Sequence, residues 1–326
     1  MTDPSPQPRL ESHSTDPPNV ATGVVDRFRI ALIGDLHVYK LLIAPWHLLS
    51  KRLLGQTNLY LRRQARFQLA RIDPLVQRIA TLSPDALLCT GDITTTALPA
   101  EFDFVKRSLK PLTDRIPTYI APGNHDRYTF SAARRRRFEI QLGQLTADAW
   151  PWSVSLQPNI QLIATDPARP RFVHAGGELG QPQRKKIAAL LADNHPGWTI
   201  LMCHYPIGTP HGAKPETHSH RLLDQPELIS TLRDSNRPIL YLHGHVHRPW
   251  CFRPANAPNV IVLNAGAPIM SSPDYPHGQG FWQIDLQNAP ASRGVLTLTH
   301  HACSAAGHWQ SRAIDVPDHP GHVTLA

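Results

Sequence analysis

Short apolar stretches recur along the chain, and most of them end in a polar cluster. Runs of four to six apolar residues are typical of buried strands. The runs cover residues 28–37, 85–93, 117–126, 159–166, 198–206, 238–247, 259–268, 281–286 and 295–300. The pattern therefore predicts a β-rich core that extends through most of the sequence.

Stretches with a helical period fall between several of these strands. The predicted helices cover about residues 66–82, 100–110, 131–146, 181–193 and 222–234. Strands that alternate with helices indicate an α/β fold. The later strands follow one another with fewer helices, which favours a second, mixed sheet.

The two ends of the chain lack this pattern. Residues 1–26 are rich in Pro, Ser, Thr and Asp, a composition typical of disorder. Residues 303–326 have no hydrophobic period, so a disordered tail is expected there as well. Between these tails we find no internal repeat and no linker, so the sequence predicts one domain over residues 27–302.

The overall composition is that of an ordinary globular protein with an excess of positive charge. Hydrophobic residues make up 41% of the chain, charged residues 18%, and the formal net charge is +8. This charge suits anionic partners such as phosphate esters, nucleic acid or an acidic membrane surface. The four cysteines are widely spaced and indicate no disulfide framework and no zinc ribbon. With no signal-peptide pattern and no apolar run of about 18 residues, a cytoplasmic protein is expected.

Five of the predicted strands end in side chains that can bind a metal ion. They are Asp35 and His37, then Asp92, then Asn124 with His125 and Asp126, then His204, and finally His245 and His247. In an open α/β sheet, ligands bind at the carboxyl ends of the strands. Each cluster has an ordinary alternative as a helix cap, a turn or a hydrogen-bonded core residue. Taken together, the carboxylates, imidazoles and amide suit Mn²⁺, Fe or Zn²⁺.

The ordered series GDLH, GDI, GNHD, CHYP and HGHVH resembles the calcineurin-like metallophosphoesterase superfamily. The similarity covers residues 28 to about 268, and no position of the metal-binding pattern is missing. It implies a four-layer α/β/β/α sandwich of two mixed sheets. That architecture agrees with the alternation of strands and helices described above.

The resemblance also implies a site for two divalent metal ions. Asp35, His37 and His247 would bind the first ion, and Asn124, His204 and His245 the second, with Asp92 bridging both. His243 is not part of the family pattern and would at most support a ligand. The outer two histidines of the HGHVH block are therefore the expected ligands, one for each ion.

The implied reaction is hydrolysis of a phosphodiester or diphosphate bond by a hydroxide that bridges the two metals. His125 follows a ligand directly and would protonate the leaving oxygen or stabilise transition-state charge. Asp126 would orient His125 or a neighbouring ligand. Both residues are thus expected to take part in catalysis.

Residues 39–71 form the most unusual segment of the chain. It contains seven basic residues interleaved with many leucines and no acidic residue. Such a mixture suits an amphipathic cap that contacts an anionic membrane or a substrate with acyl chains, with Arg52, Arg62 and Arg63 binding the substrate. The alternative is an ordinary helix that packs on the sheet and exposes a basic face. Residues 50–63 also resemble a stretch of bacterial metallophosphoesterases that include a UDP-diacylglucosamine pyrophosphatase.

The sequence leaves the substrate open. A lipid-linked nucleotide diphosphate is favoured by residues 39–71, and a cyclic-nucleotide or general phosphodiesterase is the alternative. The basic run Arg134–Arg137 would meet a diphosphate or an anionic membrane, or would simply be a solvated helix turn. Specific nucleic-acid binding is not expected, because aromatic residues are only 7% of the chain and no stacking platform is evident. The alternative outside the enzymes is a non-catalytic metal-binding scaffold, and the intact ligand pattern argues against it.

Overall fold

Thirteen strands form two mixed sheets in the part of the chain that the structure, a computed structural model, describes. That part comprises residues 27–40, 64–171, 175–193, 195–210, 220–287, 295–304, 306–318 and 323–325. The first sheet contains β1 (Arg27–Ile33), β2 (Ala86–Cys89), β3 (Thr118–Ile120), β10 (Phe281–Gln287), β11 (Val295–Cys303) and β12 (Trp309–Ile314). The second contains β4 (Trp152–Gln157), β5 (Ile160–Ala164), β6 (Trp198–Met202), β7 (Ile239–His243), β8 (Trp250–Phe252), β9 (Val260–Asn264) and β13 (Val323–Leu325).

Parallel strands are neighbours in each sheet, at one side of the first sheet and in the middle of the second. The first sheet has the order β12-β11-β10-β1-β2-β3, and the second has the order β13-β8-β9-β7-β6-β5-β4. β1, β2 and β3 run parallel to one another, as do β5, β6, β7 and β9. The segments that follow parallel neighbours leave the sheet at the same edge, which places them close together.

Helices lie on the outer faces of both sheets. They are α1 (Gln64–Arg66), α2 (Ile72–Thr81), α3 (Pro99–Thr113), α4 (Phe130–Arg134), α5 (Arg137–Leu142), α6 (Gly180–Ala192) and α7 (Gln225–Asp234), with single 3₁₀ turns at Leu69–Arg71 and Gly143–Leu145. The helix predicted over residues 131–146 is broken between α4 and α5, where Arg136 adopts a left-handed backbone with φ of 47°. Among the described residues, no helix is long and apolar enough to cross a membrane.

Strand alternation divides the apolar side chains into three layers. In β1, Ile30 and Leu32 pack between the two sheets, whereas Ala31 and Ile33 face the other way and pack under α2 and α3. A third layer lies between the second sheet and the helices α6 and α7. The expected four-layer α/β/β/α sandwich is therefore confirmed.

The expectation of disorder after residue 302 needs correction. β12 pairs antiparallel with β11, and β13 pairs antiparallel with β8, so both sheets gain an edge strand from the C-terminal region. The side chains of β12 are mostly exposed. An edge strand of this kind contacts its sheet largely through backbone hydrogen bonds, so it has little need of an apolar period. Residues 1–26 lie outside the described residues.

Candidate metal centre

The side chains predicted to bind metal meet where parallel strands of the two sheets end. Asp35 follows β1, Asp92 follows β2 and Asn124 follows β3 in the first sheet. From the second sheet, His204 follows β6, and His245 and His247 follow β7. Because parallel strands end at one edge, residues that are far apart in sequence come together there.

Five of the seven expected ligands have a left-handed backbone. The φ angles are 49° for Asp35, 45° for His37, 52° for Asp92, 72° for His245 and 51° for His247. Non-glycine residues adopt this region only when the surrounding structure holds them there, and such residues cluster at functional sites. The backbone conformation thus supports a functional role for these positions independently of the side chains.

Two glycines allow the carboxylates to approach the neighbouring backbone. A Cβ atom on Gly244 would lie 2.1 Å from Oδ2 of Asp35, and one on Gly123 would lie 2.1 Å from Oδ1 of Asp92. Any larger residue at either position would displace the carboxylate. The glycines of the HGHVH and GNHD blocks are therefore required by the packing of the site.

We call Asp35, His37 and His247 the first half-site. The Nε2 atoms of His37 and His247 lie 2.9 Å apart. Oδ1 of Asp35 lies 3.2 Å from Nε2 of His247 and 3.7 Å from Nε2 of His37. Three potential ligand atoms thus converge on one point.

We call Asn124, His204 and His245 the second half-site. Oδ1 of Asn124 lies 3.0 Å from Nδ1 of His245 and 3.2 Å from Nε2 of His204. The two imidazole nitrogens are 3.3 Å apart. Nδ1 of His204 donates a hydrogen bond to the carbonyl of Thr90 at 2.9 Å, which leaves Nε2 as the nitrogen that can bind a cation.

Asp92 lies between the two half-sites. Its Oδ2 atom is 3.6 Å from Nε2 of His37 and 3.3 Å from Nε2 of His204, and its Oδ1 accepts the backbone N–H of His125 at 2.8 Å. Asp35 also connects the halves, because both of its oxygens accept the backbone N–H of His245 at 3.1 Å. Asp92 is placed where a bridging ligand is needed.

The donor set fits two divalent cations. Ligand atoms that share one ion at about 2.0–2.2 Å stand roughly 3 Å apart, which is close to the spacings within each half-site. Groups of ligand atoms from Asp35, His37 and His247, and from Asp92, His204 and His245, lie within 4.8 Å of one another. A mixture of carboxylate, imidazole and amide ligands suits Mn²⁺, Fe or Zn²⁺.

The pKa values of the ionisable side chains in this cluster shift in different directions. Burial by itself disfavours a charged Asp92, but His204, His125 and His37 outweigh it and hold the pKa of Asp92 well below its usual range. Burial also opposes protonation of His204, and the Asp92 carboxylate overcomes this and raises the pKa of His204 to about 9. Burial and the charge of His204 lower the pKa of His245. A strong negative charge at Asp92 is what a cation at this position requires.

His125 lies beside the cluster with its ring held on two sides. Its Nδ1 donates to the carbonyl of Thr95 at 2.7 Å. The ring packs edge-on against His37, with centroids 4.8 Å apart, and stacks on Tyr128 at 5.6 Å. The imidazole is thus oriented without being part of either half-site.

Asp126 was expected to orient His125 or a neighbouring ligand, and it contacts the backbone beside the ligands Asp92 and Asn124. Its carboxylate accepts hydrogen bonds from the backbone N–H groups of Gly123, Ile93 and Thr94 and from the Thr94 hydroxyl. Burial and the charge of Asp92 raise the pKa of Asp126 to about 7. Asp126 therefore joins two loops of the site through their backbones, and the Thr95 carbonyl orients His125.

His243 is a core residue. It is completely buried, its Nδ1 donates to the carbonyl of Gly244 at 3.0 Å, and its Nε2 accepts from Nε1 of Trp250 at 3.4 Å. Burial lowers the pKa of His243 to about 3, so the ring is neutral. It supports the loop that carries His245 through one hydrogen bond to the Gly244 backbone.

The basic residues predicted to contact the substrate are distributed in two groups. Arg52, Arg62 and Arg63 lie outside the described residues, so their role stays a prediction. In the run Arg134–Arg137, Arg136 pairs with the exposed Asp148 at 2.8 Å and Arg137 donates to the carbonyl of Ala97 at 2.7 Å. Arg136 and Arg137 thus contact different parts of the chain.

Several contacts of the site carried no signal in the sequence. The carbonyls of Thr90 and Thr95 orient two histidines, but every residue has a carbonyl, so the sequence cannot single them out. The ring of Phe67 lies against His37, with centroids 4.7 Å apart, although in the sequence it is one apolar residue among many in a basic segment.

Comparison with known proteins agrees with this geometry. The family model described as "Calcineurin-like phosphoesterase" matches residues 28–249. A protein of Rhodococcus erythropolis named "Probable cyclic nucleotide phosphodiesterase" is 29% identical over 209 residues, which cover 62% of this chain and 64% of that protein. The match therefore leaves about a third of each protein uncompared.

Three solved structures share the fold at low sequence identity. The chain matches a dimetal phosphatase from Danio rerio with a TM-score of 0.57 and 14% identity, over 88% of this chain and 96% of that one. It matches PhoD with a TM-score of 0.62 and 10% identity, over 92% and 74%. The purple acid phosphatase PPD1 from yellow lupin gives a TM-score of 0.55 and 14% identity, over 90% and 54%.

Proposed function

Because the chain belongs to the calcineurin-like phosphoesterase family, we propose that it is a metal-dependent hydrolase that cleaves a phosphodiester bond of a small nucleotide. The observation that carries this proposal is the pair of half-sites that share Asp92 beside His125. A cyclic nucleotide is the first candidate substrate, since the Rhodococcus relative is named for that activity.

The two half-sites and Asp92 are the residues that would hold two divalent cations. When bound, such cations would clamp the oxygens of a phosphate group and lower the pKa of a water molecule towards neutrality. The chain itself contributes the spacing of the ligand atoms and the negative charge of Asp35 and Asp92. Mn²⁺, Fe and Zn²⁺ remain the candidate ions.

His125 would supply the proton that the leaving oxygen needs. Its Nδ1–H is engaged by the Thr95 carbonyl, so the proton that moves is the one on Nε2. Its contacts with His37 and Tyr128 keep the ring plane fixed beside the half-sites. A general acid held in this way spares the leaving alkoxide its full negative charge.

A lipid-linked nucleotide diphosphate is the second candidate substrate. The basic and apolar segment 39–71 suggests it, although residues 41–63 of that segment lie outside the described residues. The described residues at its two ends support the idea: Tyr39 is only two residues from His37, and Phe67 packs on His37. The segment would then contact an anionic membrane from the side of the metal centre.

The test is a comparison of three substrates with purified protein and added Mn²⁺. We expect hydrolysis of a cyclic nucleotide and of bis(p-nitrophenyl) phosphate, and a loss of about 10²–10⁴-fold in kcat for His125→Ala. The third substrate is UDP-diacylglucosamine in detergent micelles. Metal content, measured by mass spectrometry, should be the same in His125→Ala and in the wild type.

The matched control is His308→Ala, which removes an exposed histidine far along the sequence and should leave all three rates unchanged. Hydrolysis of the lipid substrate alone would replace the first candidate with the second. Absence of hydrolysis with every substrate, at full metal content, would refute the proposed reaction.

A further inference from the structure

Phe67 forms an aromatic wall on one side of the first half-site. Its ring centroid lies 4.7 Å from that of His37 and 5.8 Å from that of His247, with interplanar angles of 59° and 85°. The two histidine rings are themselves 4.9 Å apart at 77°. Phe67 therefore contacts both imidazoles whose Nε2 atoms lie 2.9 Å apart.

Phe67 is held in place through its backbone neighbours. It forms a β-bridge with Met270, and the flanking backbone bonds run from Gln68 N–H to the Ile269 carbonyl at 3.1 Å and from Ser271 N–H to the Arg66 carbonyl at 2.6 Å. The side chain is only 3% exposed. Its ring thus has a fixed position relative to the loop that follows β9.

Arg71 holds the segment that contains Phe67 through a second set of hydrogen bonds. Its guanidinium donates to Oε1 of Gln68 at 2.5 Å and to the carbonyl of His277, and it lies 3.0 Å from Nδ1 of His277. These bonds join the segment after α1 to the loop that includes residues 270–278. Phe67 is therefore clamped on both sides of its position in the chain.

Rings also pack on the second half-site, but among the described residues they come from segments other than the one that contains Phe67. His204 is oriented by a hydrogen bond to the Thr90 carbonyl, and His245 packs on Tyr205, the residue directly after His204, at 4.5 Å. The ring of His220, from the loop before α7, also lies near His245, with centroids 6.1 Å apart. In the described part of the chain, the ring contacts of Phe67 are with the histidines of the first half-site.

We infer that Phe67 is a positioning residue for the ion of the first half-site. An aromatic ring restricts the planes of His37 and His247 by packing, and it offers no oxygen or nitrogen that would compete for their Nε2 atoms. Loss of the ring removes one packing contact from each imidazole, so the ion has to order them more fully when it binds. This inference rests on the two-metal site of the proposed function.

Metal binding by the metal-free protein tests the inference directly. Calorimetric titration with Mn²⁺ should show two equivalents for the wild type. For Phe67→Met, which keeps most of the apolar volume and removes the ring, one equivalent should bind about tenfold more weakly and the other should be unchanged. Phe67→Tyr, which retains the ring, should bind both equivalents with the affinities of the wild type.

The matched control is Phe102→Met, which removes a fully buried ring of the same apolar layer, where it packs on Phe138 and not on the half-sites. It should lower the thermal stability of the metal-free protein and leave both affinities unchanged. Equal affinities for Phe67→Met and the wild type would overturn the inference, as would equal weakening in Phe102→Met. A wild type that binds no metal would instead refute the proposed site as a whole.

Discussion

The two half-sites have similar ligands but differ in what surrounds them. In the second half-site, the His204 side chain is completely buried and its orientation comes from the Thr90 carbonyl. In the first, the His247 side chain is 27% exposed and packs against Phe67. The comparison shows that one fold can orient imidazoles by a directed hydrogen bond to the backbone or by the packing of an aromatic ring, and that the second half-site uses both, since Tyr205 packs on His245.

Both half-sites nevertheless draw ligands from both sheets. The first takes Asp35 and His37 from the end of β1 and His247 from the loop after β7, whereas the second takes Asn124 from the loop after β3. Near this loop, the buried Arg127 connects the sheets by an ion pair to Asp166 at 2.9 Å, and it also pairs with Glu139 of α5. Each half-site therefore depends on the same alignment of the two sheets.

Removing Asp92, the ligand that the two half-sites share, should prevent metal binding at both of them. We expect Asp92→Ala to lose both ions and at least about 10³-fold in kcat, because Asp92 faces His37 and His204 alike and supplies the negative charge between them. Metal content by mass spectrometry and hydrolysis of bis(p-nitrophenyl) phosphate measure the two effects. Asp103→Ala, which removes a half-exposed carboxylate that pairs with Lys106, is the control. Retention of two ions by Asp92→Ala would show that the residue is not a bridging ligand.

Two glycine substitutions should perturb the half-sites one at a time. In Gly244→Ala the new methyl group would lie 2.1 Å from Oδ2 of Asp35, and in Gly177→Ala it would lie 2.4 Å from the ring of Tyr205, which packs on His245. Each should weaken one equivalent of Mn²⁺, by roughly 10–100-fold.

Calorimetry of the two single variants and of the double variant distinguishes the equivalents. The double variant should show both of them weakened. If Gly244→Ala and Gly177→Ala weaken the same equivalent, the division into two half-sites is wrong.

A smaller expected effect is a pH dependence of stability that comes from His300, a histidine outside the metal centre. Burial and the charge of His301 lower the pKa of His300 to about 4, and Arg312 acts in the same direction. Because the unfolded chain binds this proton below about pH 6.5, stability is complete above that pH and is lost as the pH falls towards 4. One such group contributes up to about 1.4 kcal/mol per pH unit.

Urea unfolding at several pH values in the presence of EDTA measures this loss without a contribution from bound metal. His300→Gln should have a shallower dependence of its unfolding free energy on pH between 6.5 and 4 than the wild type. The same slope in both proteins would mean that His300 is not protonated on unfolding.

The parts of the molecule that were predictable are those whose chemistry restricts the residue type. Only a few residues can bind a cation, so the strand ends at Asp35, Asp92 and His204 were recognisable from the sequence. The central strands were recognisable as well, because burial on both faces demands continuous apolar runs.

The parts that could not be predicted depend on backbone geometry or on edges. The strand β4 lies at an edge, and its exposed and half-buried residues give a weak apolar signal. The strand β8 is only three residues long and pairs with the edge strand β13. The support that Phe67 gives to His37 arises from a bridge to Met270, some two hundred positions further along the chain, which no local pattern encodes.

The left-handed backbone of five ligands has a consequence for how such a sequence changes over generations. Each of these residues holds a conformation that costs roughly 1–3 kcal/mol for a non-glycine residue. Glycine adopts it freely, so replacing Asp35 or His245 with glycine would relieve strain while removing a ligand. Substitutions that stabilise the fold at these positions therefore lower activity, and only selection for turnover keeps the strained residues in place.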